Sequence, residues 1–326
     1  MNIRDFVIQS QLVPPRSRQG ILARPRIANQ LLECLDYSVT VVHAGTGYGK
    51  TTELAALADK VPQIFWYSVR EADRDPLLFL VNLISAFESQ GHDWGKSVLD
   101  SLENVPQSVQ AELLRPLLND LSLGLRCETV FVIDDFHHVT DVAEIEKLIT
   151  YFVDYRPQRL HIILSTRKIP NYSALSRWRL KGMLKVIYRA EMAFTREEVL
   201  ELYRDHFHFA LSEEQLYLLH KETEGWAIAL QMVWQSLQIG TWSLEQIFAQ
   251  RPYTLESLFD YLANEVLDRL PLELQNFLVT SAVLSQLEAD ICDMLIGTSH
   301  SQQFIQTLVE SGLFIASVGE NIYQYQ

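Results

Sequence analysis

Val42-His43-Ala44-Gly45-Thr46-Gly47-Tyr48-Gly49-Lys50-Thr51-Thr52 decides how this chain is read. A β-rich run, Ser38 to His43, leads into it, and helical periodicity follows from about Thr51. The stretch closely matches the phosphate-loop pattern G-x-x-x-x-G-K-[ST], with Ala44 where the pattern has its first Gly. In such a loop successive backbone N–H groups curl around a phosphate, and Gly is needed where φ is positive or the backbone approaches the ligand. The helix N-terminus that follows adds its partial positive charge. Lys50 would reach the β- and γ-phosphates and the Thr51 hydroxyl would ligate Mg²⁺. The candidate nucleotide contacts are therefore Ala44, Gly45, Thr46, Gly47, Tyr48, Gly49, Lys50, Thr51 and Thr52. The plain alternative is a glycine-rich turn that binds nothing.

Four more β-rich runs follow, Ile64 to Val69, Thr129 to Asp134, Leu160 to Thr166 and Leu184 to Arg189, separated by segments long enough to hold helices. Strands alternating with helices predict an α/β domain over residues 30–191, a P-loop NTPase with a parallel five-stranded sheet and helices on both faces. The run Thr129-Val130-Phe131-Val132-Ile133 ends in Asp134-Asp135, the form of a Walker B element. Asp134 would hold Mg²⁺, and Asp135 would polarise the attacking water. The spacing leaves room for an intervening strand, assigned to Ile64–Val69. The run ending at Thr166 delivers Arg167 to the same edge, a candidate sensor distinguishing ATP from ADP. Catalytic roles thus fall to Lys50, Asp135 and Arg167, and metal ligation to Thr51 and Asp134. From Arg167 to Arg189 inclusive there are seven Lys or Arg and no acid. Arg16, Arg18, Arg24 and Arg26 likewise occur without an acid between Phe6 and Leu32, and the two basic zones are placed to flank a nucleotide.

Beyond Met192 the strands stop. Capping boxes at Thr195-x-x-Glu198, Ser212-x-x-Gln215 and Ser243-x-x-Gln246 predict a helical domain over 192–268, with Gly225 ending the helix that starts at Ser212. Residues 269–326 read as a winged-helix-like domain: helices at Leu272–Val283, Ala289–Leu295 and Gln302–Ser311, with Pro271 in the first turn, then Leu313–Ser317 and Ile322–Tyr325 as a hairpin. The chain stops at Gln326 inside that expected strand, as a piece of something longer would.

The 326 residues are 48% apolar and 21% charged, a globular composition. A net charge of −14 repels a polyanion, which argues against direct DNA binding by this chain. Cys34, Cys127 and Cys292 are odd in number and widely separated, against a disulfide framework and for a reducing compartment. No leader-like or membrane-length apolar run is present, so a soluble cytoplasmic protein is expected. His137-His138, His206 and His208 lack further ligands at metal spacing. Asp75-Pro76 reads as a helix start, and Trp66, Trp226 and Trp242 as packing residues.

Leu12-Val13-Pro14-Pro15 through Leu22-Ala23-Arg24-Pro25-Arg26, the phosphate loop, Ile133-Asp134-Asp135-Phe136-His137, Ser165-Thr166-Arg167, Phe194-Thr195-x-x-Glu198 and Thr223-Glu224-Gly225-Trp226 together resemble the MalT-like STAND ATPases. These are bacterial signal-responsive regulators, often with a LuxR-type DNA-binding domain. The resemblance implies that residues 1–29 contribute to the adenine side, that Arg24 or Arg26 approaches the base, and that the three following domains close over ADP. It implies a slow ATPase acting as a switch, with ATP/ADP and Mg as cofactors, monomeric with ADP and self-associating when activated. Inducer and DNA would be met through segments this chain lacks, and no membrane is involved. Gln326 stands where relatives commonly have His. The rivals are a constitutive P-loop ATPase or motor, a kinase, and a structural nucleotide-binding scaffold.

Overall fold

A computed structural model describes residues 3–16, 22–102, 111–239, 243–249, 267, 270–310, 315–317 and 321–325. The chain divides after Ala193 into two compact units. In the first, α1 (Pro25–Leu32) precedes β1 (Val39–His43), α2 (Lys50–Leu57), β2 (Gln63–Ser68), α3 (Pro76–Glu88), α4 (Lys96–Leu102) and α5 (Arg115–Gly124). Then come β3 (Thr129–Asp134), α6 (Ala143–Tyr155), β4 (Leu160–Thr166), α7 (Ser173–Leu180), β5 (Leu184–Ile187) and the single turn α8 (Arg189–Met192). All five strands are parallel, in the order β2-β3-β4-β1-β5. Every residue of β3 and β4 is buried, as a sheet covered on both faces requires.

Two expectations are corrected here. The strand lying between β1 and β3 in the sheet is β4, not the 64–69 run, which forms β2 at the edge. The chain leaves β1 over α2 for that edge, works back through β3 and fills the gap beside β1 with β4 before β5 joins the other side of β1, so the strand that intervenes in sequence is not the one that intervenes in space. The run expected to extend to Arg189 stops at Ile187. The Tyr188 N–H donates to the Glu191 carboxylate at 2.7 Å, and that local bond turns the backbone into α8.

α3 shows why these segments fold locally. The Asp75 carboxylate accepts from the N–H groups of Leu77 and Leu78 at 2.8 and 3.0 Å, and Pro76 supplies the pre-set first turn. Residues Phe79 to Phe87 are all buried, so the helix is core rather than amphipathic cover. Phe87 packs on Phe65 of β2 and Phe131 of β3 at ring separations of 4.8 and 4.7 Å. Burying three such rings contributes roughly 2–3 kcal/mol each to holding the sheet's shape.

The second unit holds α9 (Arg196–Glu201), α10 (Glu213–Thr223), α11 (Ala227–Ile239), α12 (Leu244–Ala249), α13 (Leu272–Ser281), α14 (Ala289–Ile296), α15 (Ser301–Glu310) and the antiparallel pair β6 (Ile315–Ser317) and β7 (Tyr323–Tyr325). All three expected capping boxes close reciprocally: Thr195 with Glu198, Ser212 with Gln215, and Ser243 with Gln246. α10 ends where Glu224 and Gly225 take left-handed φ values of 48° and 69°. Pro271 sits one residue earlier than expected, at the N-cap of α13 rather than inside its first turn. Phe277, Leu278, Leu287, Ile305, Leu308 and Ile315 form the winged-helix core. Trp66 and Trp226 are buried. Trp242, Gly312, Gln326 and the expected 268/269 domain border lie outside the described residues. Among the described residues no helix is long and apolar enough to cross a membrane.

Candidate functional site

The parallel register carries the carboxyl ends of β1, β4 and β3 to one edge, where His43 pairs with Thr166 and Ile133 with Leu164. Ligands of open α/β sheets bind outside this edge. The loop between β1 and α2 turns through Gly47 at φ 74° and Gly49 at φ 80°, conformations that glycine adopts without strain. Ala44 is fully buried, and its N–H donates to the Thr166 carbonyl at 3.3 Å. Its φ is not positive, so alanine satisfies the backbone there.

Lys50 opens α2 and is 7% exposed. Its ammonium donates to the carbonyls of Ala44 and Gly45 at 2.8 and 2.9 Å, so a buried cation spans the mouth of its own loop. Burial pushes its pKa down, opposed by the Asp134 and Asp135 charges. Next along α2, the Thr51 hydroxyl donates to Asp134 Oδ2 at 2.7 Å. Asp134 is 1% exposed at the end of β3, and its other carboxylate oxygen accepts the Asp135 N–H at 2.9 Å. Burial raises the Asp134 pKa and the adjacent Asp135 charge adds to the rise, while the Ser165 and Thr51 hydroxyls oppose it. Thr52 is half-buried on the same first turn.

Asp135 holds φ 52° and ψ 32°, left-handed backbone uncommon outside glycine. That turn takes its carboxylate off the strand line and leaves the side chain 40% exposed at the sheet edge. Arg167 is exposed just past β4. Its charge lowers the proton affinity of both Lys50 and His137, which places it in the same field. The Arg189 guanidinium lies 6.0 Å over the Tyr48 ring.

Arg24 and Arg26 are committed elsewhere than to an open face. Arg24 is 3% exposed and donates to the carbonyls of Met192 and Ala193 at 2.9 and 3.0 Å, with Glu53 of α2 at 3.5 Å. Arg26 donates to the carbonyls of Glu191 and Ala193 at 2.6 and 2.8 Å. Together they clasp the last residues of the first unit and tie them to the helix that follows the phosphate loop. Nothing local in the sequence signals the bonds to residues 191–193, because those partners lie more than 160 positions away. His137 is a further residue the sequence reading passed over, having weighed it only as a metal ligand. Burial and the Arg167 charge push its pKa down to about 4. Its proximity to the acidic pair was the available signal.

The residues present suit a magnesium nucleotide. Thr51 and Asp134 offer hard oxygen donors side by side, and Lys50 supplies the fixed cation at the loop. Among the described residues no group of three or more His, Cys, Asp or Glu could hold a metal. A magnesium site of this kind draws only one or two ligands from protein and takes the rest from phosphate and water.

Residues 35–168 match an AAA domain, and residues 263–326 match the MalT winged helix domain. Over 95% of its length the chain is 31% identical to the HTH-type transcriptional regulator MalT of Serratia proteamaculans and 29% identical to that of Yersinia enterocolitica, covering 34% of each. The chain is therefore similar to the MalT regulators over nearly its whole length, and its sheet region matches an AAA domain. A solved STAND protein with a tetratricopeptide repeat sensor, from Pyrococcus horikoshii, shares the fold at TM-score 0.66 and 17% identity, covering 96% of this chain and 42% of the other. The MalT-like chain spans about a third of the length of the curated relatives it matches. The matched stretch takes in both the AAA-domain region, 35–168, and the MalT winged helix region, 263–326.

Proposed function

We propose that the MalT-like chain is a nucleotide-dependent switch that binds ATP and ADP with magnesium and hydrolyses ATP slowly. The observation that carries this reading is the joined set Lys50, Thr51, Asp134 and Asp135, in which one buried cation, one hydroxyl and two adjacent carboxylates meet at the sheet edge. Lys50 would hold the β- and γ-phosphates, and Thr51 and Asp134 would hold the metal. Bound magnesium would supply charge neutralisation at the phosphates. Asp135, half out of the protein on its left-handed turn, would take a proton from water. Arg167 would read whether a γ-phosphate is present.

The relatives' name supports a regulatory rather than a metabolic role. In this reading inducer and DNA are met by parts of the full-length protein outside this chain, and self-association follows activation. A two-state switch needs unequal binding: moving a population from 1:99 to 99:1 takes about 5.5 kcal/mol of differential affinity. The domain division proposed is a lead over 1–29, a P-loop domain over 30–191, a helical domain over 192–268 and a winged-helix domain over 269–326. The first test is to denature freshly purified protein and identify released nucleotide by ion-pair chromatography. Stoichiometric ADP is the expected result. An empty site with rapid turnover on adding ATP would instead make the chain an ordinary exchanging ATPase, and the switch reading would be abandoned.

A further inference from the structure

His137 follows the acidic pair by two residues, on the short turn Phe136–His138. Its side chain is 14% exposed, and its Nδ1 is buried without a hydrogen-bond partner among the described residues. The nearest acidic oxygen is Asp135 Oδ1, at 3.6 Å, a few tenths of an ångström beyond hydrogen-bond reach. A histidine kept only for packing behaves differently, as His161 in β4 shows. There Nδ1 meets the Tyr37 carbonyl at 2.8 Å and Nε2 meets Glu128 at 2.7 Å, so both ring nitrogens are paired. His138 places its Nδ1 3.1 Å from Glu71. The His137 Nδ1 is left facing a carboxylate that the reaction would use.

We infer that His137 is a positioning residue for Asp135, donating an Nδ1–H hydrogen bond that orients the carboxylate once nucleotide closes the site. This rests on the reading of Asp135 as the group that takes a proton from water. A base oriented by a third group is a recurring arrangement, and such bonds are often long before the substrate is bound. The surroundings suit a donor that stays neutral: burial, and the Arg167, His138 and Lys50 charges, disfavour protonation of the ring and outweigh the opposing pull of Glu71. A neutral ring has one N–H, and Asp135 is the acceptor that would select Nδ1 to carry it. The left-handed backbone of Asp135 makes such a tether useful, because its side chain leaves the strand with 40% of its surface free.

The test uses the whole chain and two binding probes, ADP with magnesium alone and ADP with magnesium and aluminium fluoride, the second mimicking the transferring phosphoryl group. His137→Ala should leave ADP affinity unchanged and weaken the aluminium fluoride complex by up to roughly 100-fold, the order expected when a base is misplaced by about an ångström rather than removed. His137→Asn, whose amide N–H can stand near the Nδ1 position, should recover most of that loss. In an Asp135→Asn background His137→Ala should cost nothing further, because the coupling runs through that carboxylate. Turnover should follow the same order in kcat with KM unchanged. Equal weakening of both probes, or the same loss in the Asp135→Asn background, would overturn the assignment. Failure of the unmodified chain to bind ADP would overturn the functional reading and this one with it. Normal ADP binding and ATP hydrolysis with an indifferent His137→Ala would overturn this one alone.

Discussion

At the residue scale, Lys50 and Asp135 carry opposite expectations. Lys50→Ala removes a buried ammonium that bridges Ala44 and Gly45, so nucleotide affinity should fall by at least about 100-fold, near 3 kcal/mol, as measured by calorimetric titration with ADP. Asp135→Asn keeps the shape but not the proton acceptor. It should leave ADP affinity within about threefold while cutting turnover by two orders of magnitude or more. A scaffold that binds nucleotide only for stability would show no functional change in Asp135→Asn. His137 adds a pH dependence. In the folded chain the ring stays neutral down to about pH 4, whereas in the unfolded chain it takes a proton near 6.5. The unfolded state therefore binds more protons between those values, and this group's contribution to stability is lost as the pH falls from 6.5 towards 4. Thermal melting followed from pH 7 to 4 should drop less for His137→Asn than for the unmodified chain, and parallel curves would contradict this.

At the element scale, the features legible from sequence are those written in short range. The phosphate loop, the β-rich runs, the three capping boxes and the Asp75-Pro76 helix start each depend on residues within a few positions of one another. Asp75→Ala should cost about 1 kcal/mol through two lost N-cap bonds, visible in the urea midpoint. What sequence spacing could not supply is spatial order. The 64–69 run lies between the two phosphate-site motifs along the chain, yet it is Leu160–Thr166 that lies between their strands. The clasp of Arg24 and Arg26 on residues 191–193 is equally non-local, which is why the sequence shows those arginines only as part of a basic zone placed to flank a nucleotide. Gly225 stands between the two cases. Its place after a capped helix announces a left-handed residue, but the tightness of its surroundings does not show in the sequence. Gly225 O accepts the Phe194 N–H at 2.8 Å, and a Cβ on Gly225 would lie 2.2 Å from the Phe194 carbonyl oxygen. Gly225→Ala should therefore destabilise the second unit by more than about 2 kcal/mol, combining left-handed strain with a backbone clash. Calorimetry that found its melting unchanged would show that the contact can relax.

At the scale of the whole molecule, the question is whether nucleotide identity changes the arrangement of two units that each hold their own core. The first unit contains every residue of the proposed site, Lys50, Thr51, Asp134, Asp135 and Arg167, while the second contains none of them. A switch must therefore transmit, and the described contacts give the first unit a route to its own boundary. Glu53 on α2 meets Arg24, and Arg24 holds the carbonyls of Met192 and Ala193, the last residues before the division. A small displacement of α2 on exchange of ATP for ADP would act on the segment that joins the units. The expected outcome is a smaller radius of gyration by small-angle scattering with ADP than with a non-hydrolysable ATP analogue, and no difference in Lys50→Ala, which should bind neither. Arg24→Ala supplies the discriminating arm. If the clasp carries the signal, this variant should still bind ADP, yet its scattering should no longer distinguish the two nucleotides. Identical scattering of the unmodified chain under both conditions, with both nucleotides shown to be bound, would rule out a change of compactness and leave a constitutive ATPase as the better description.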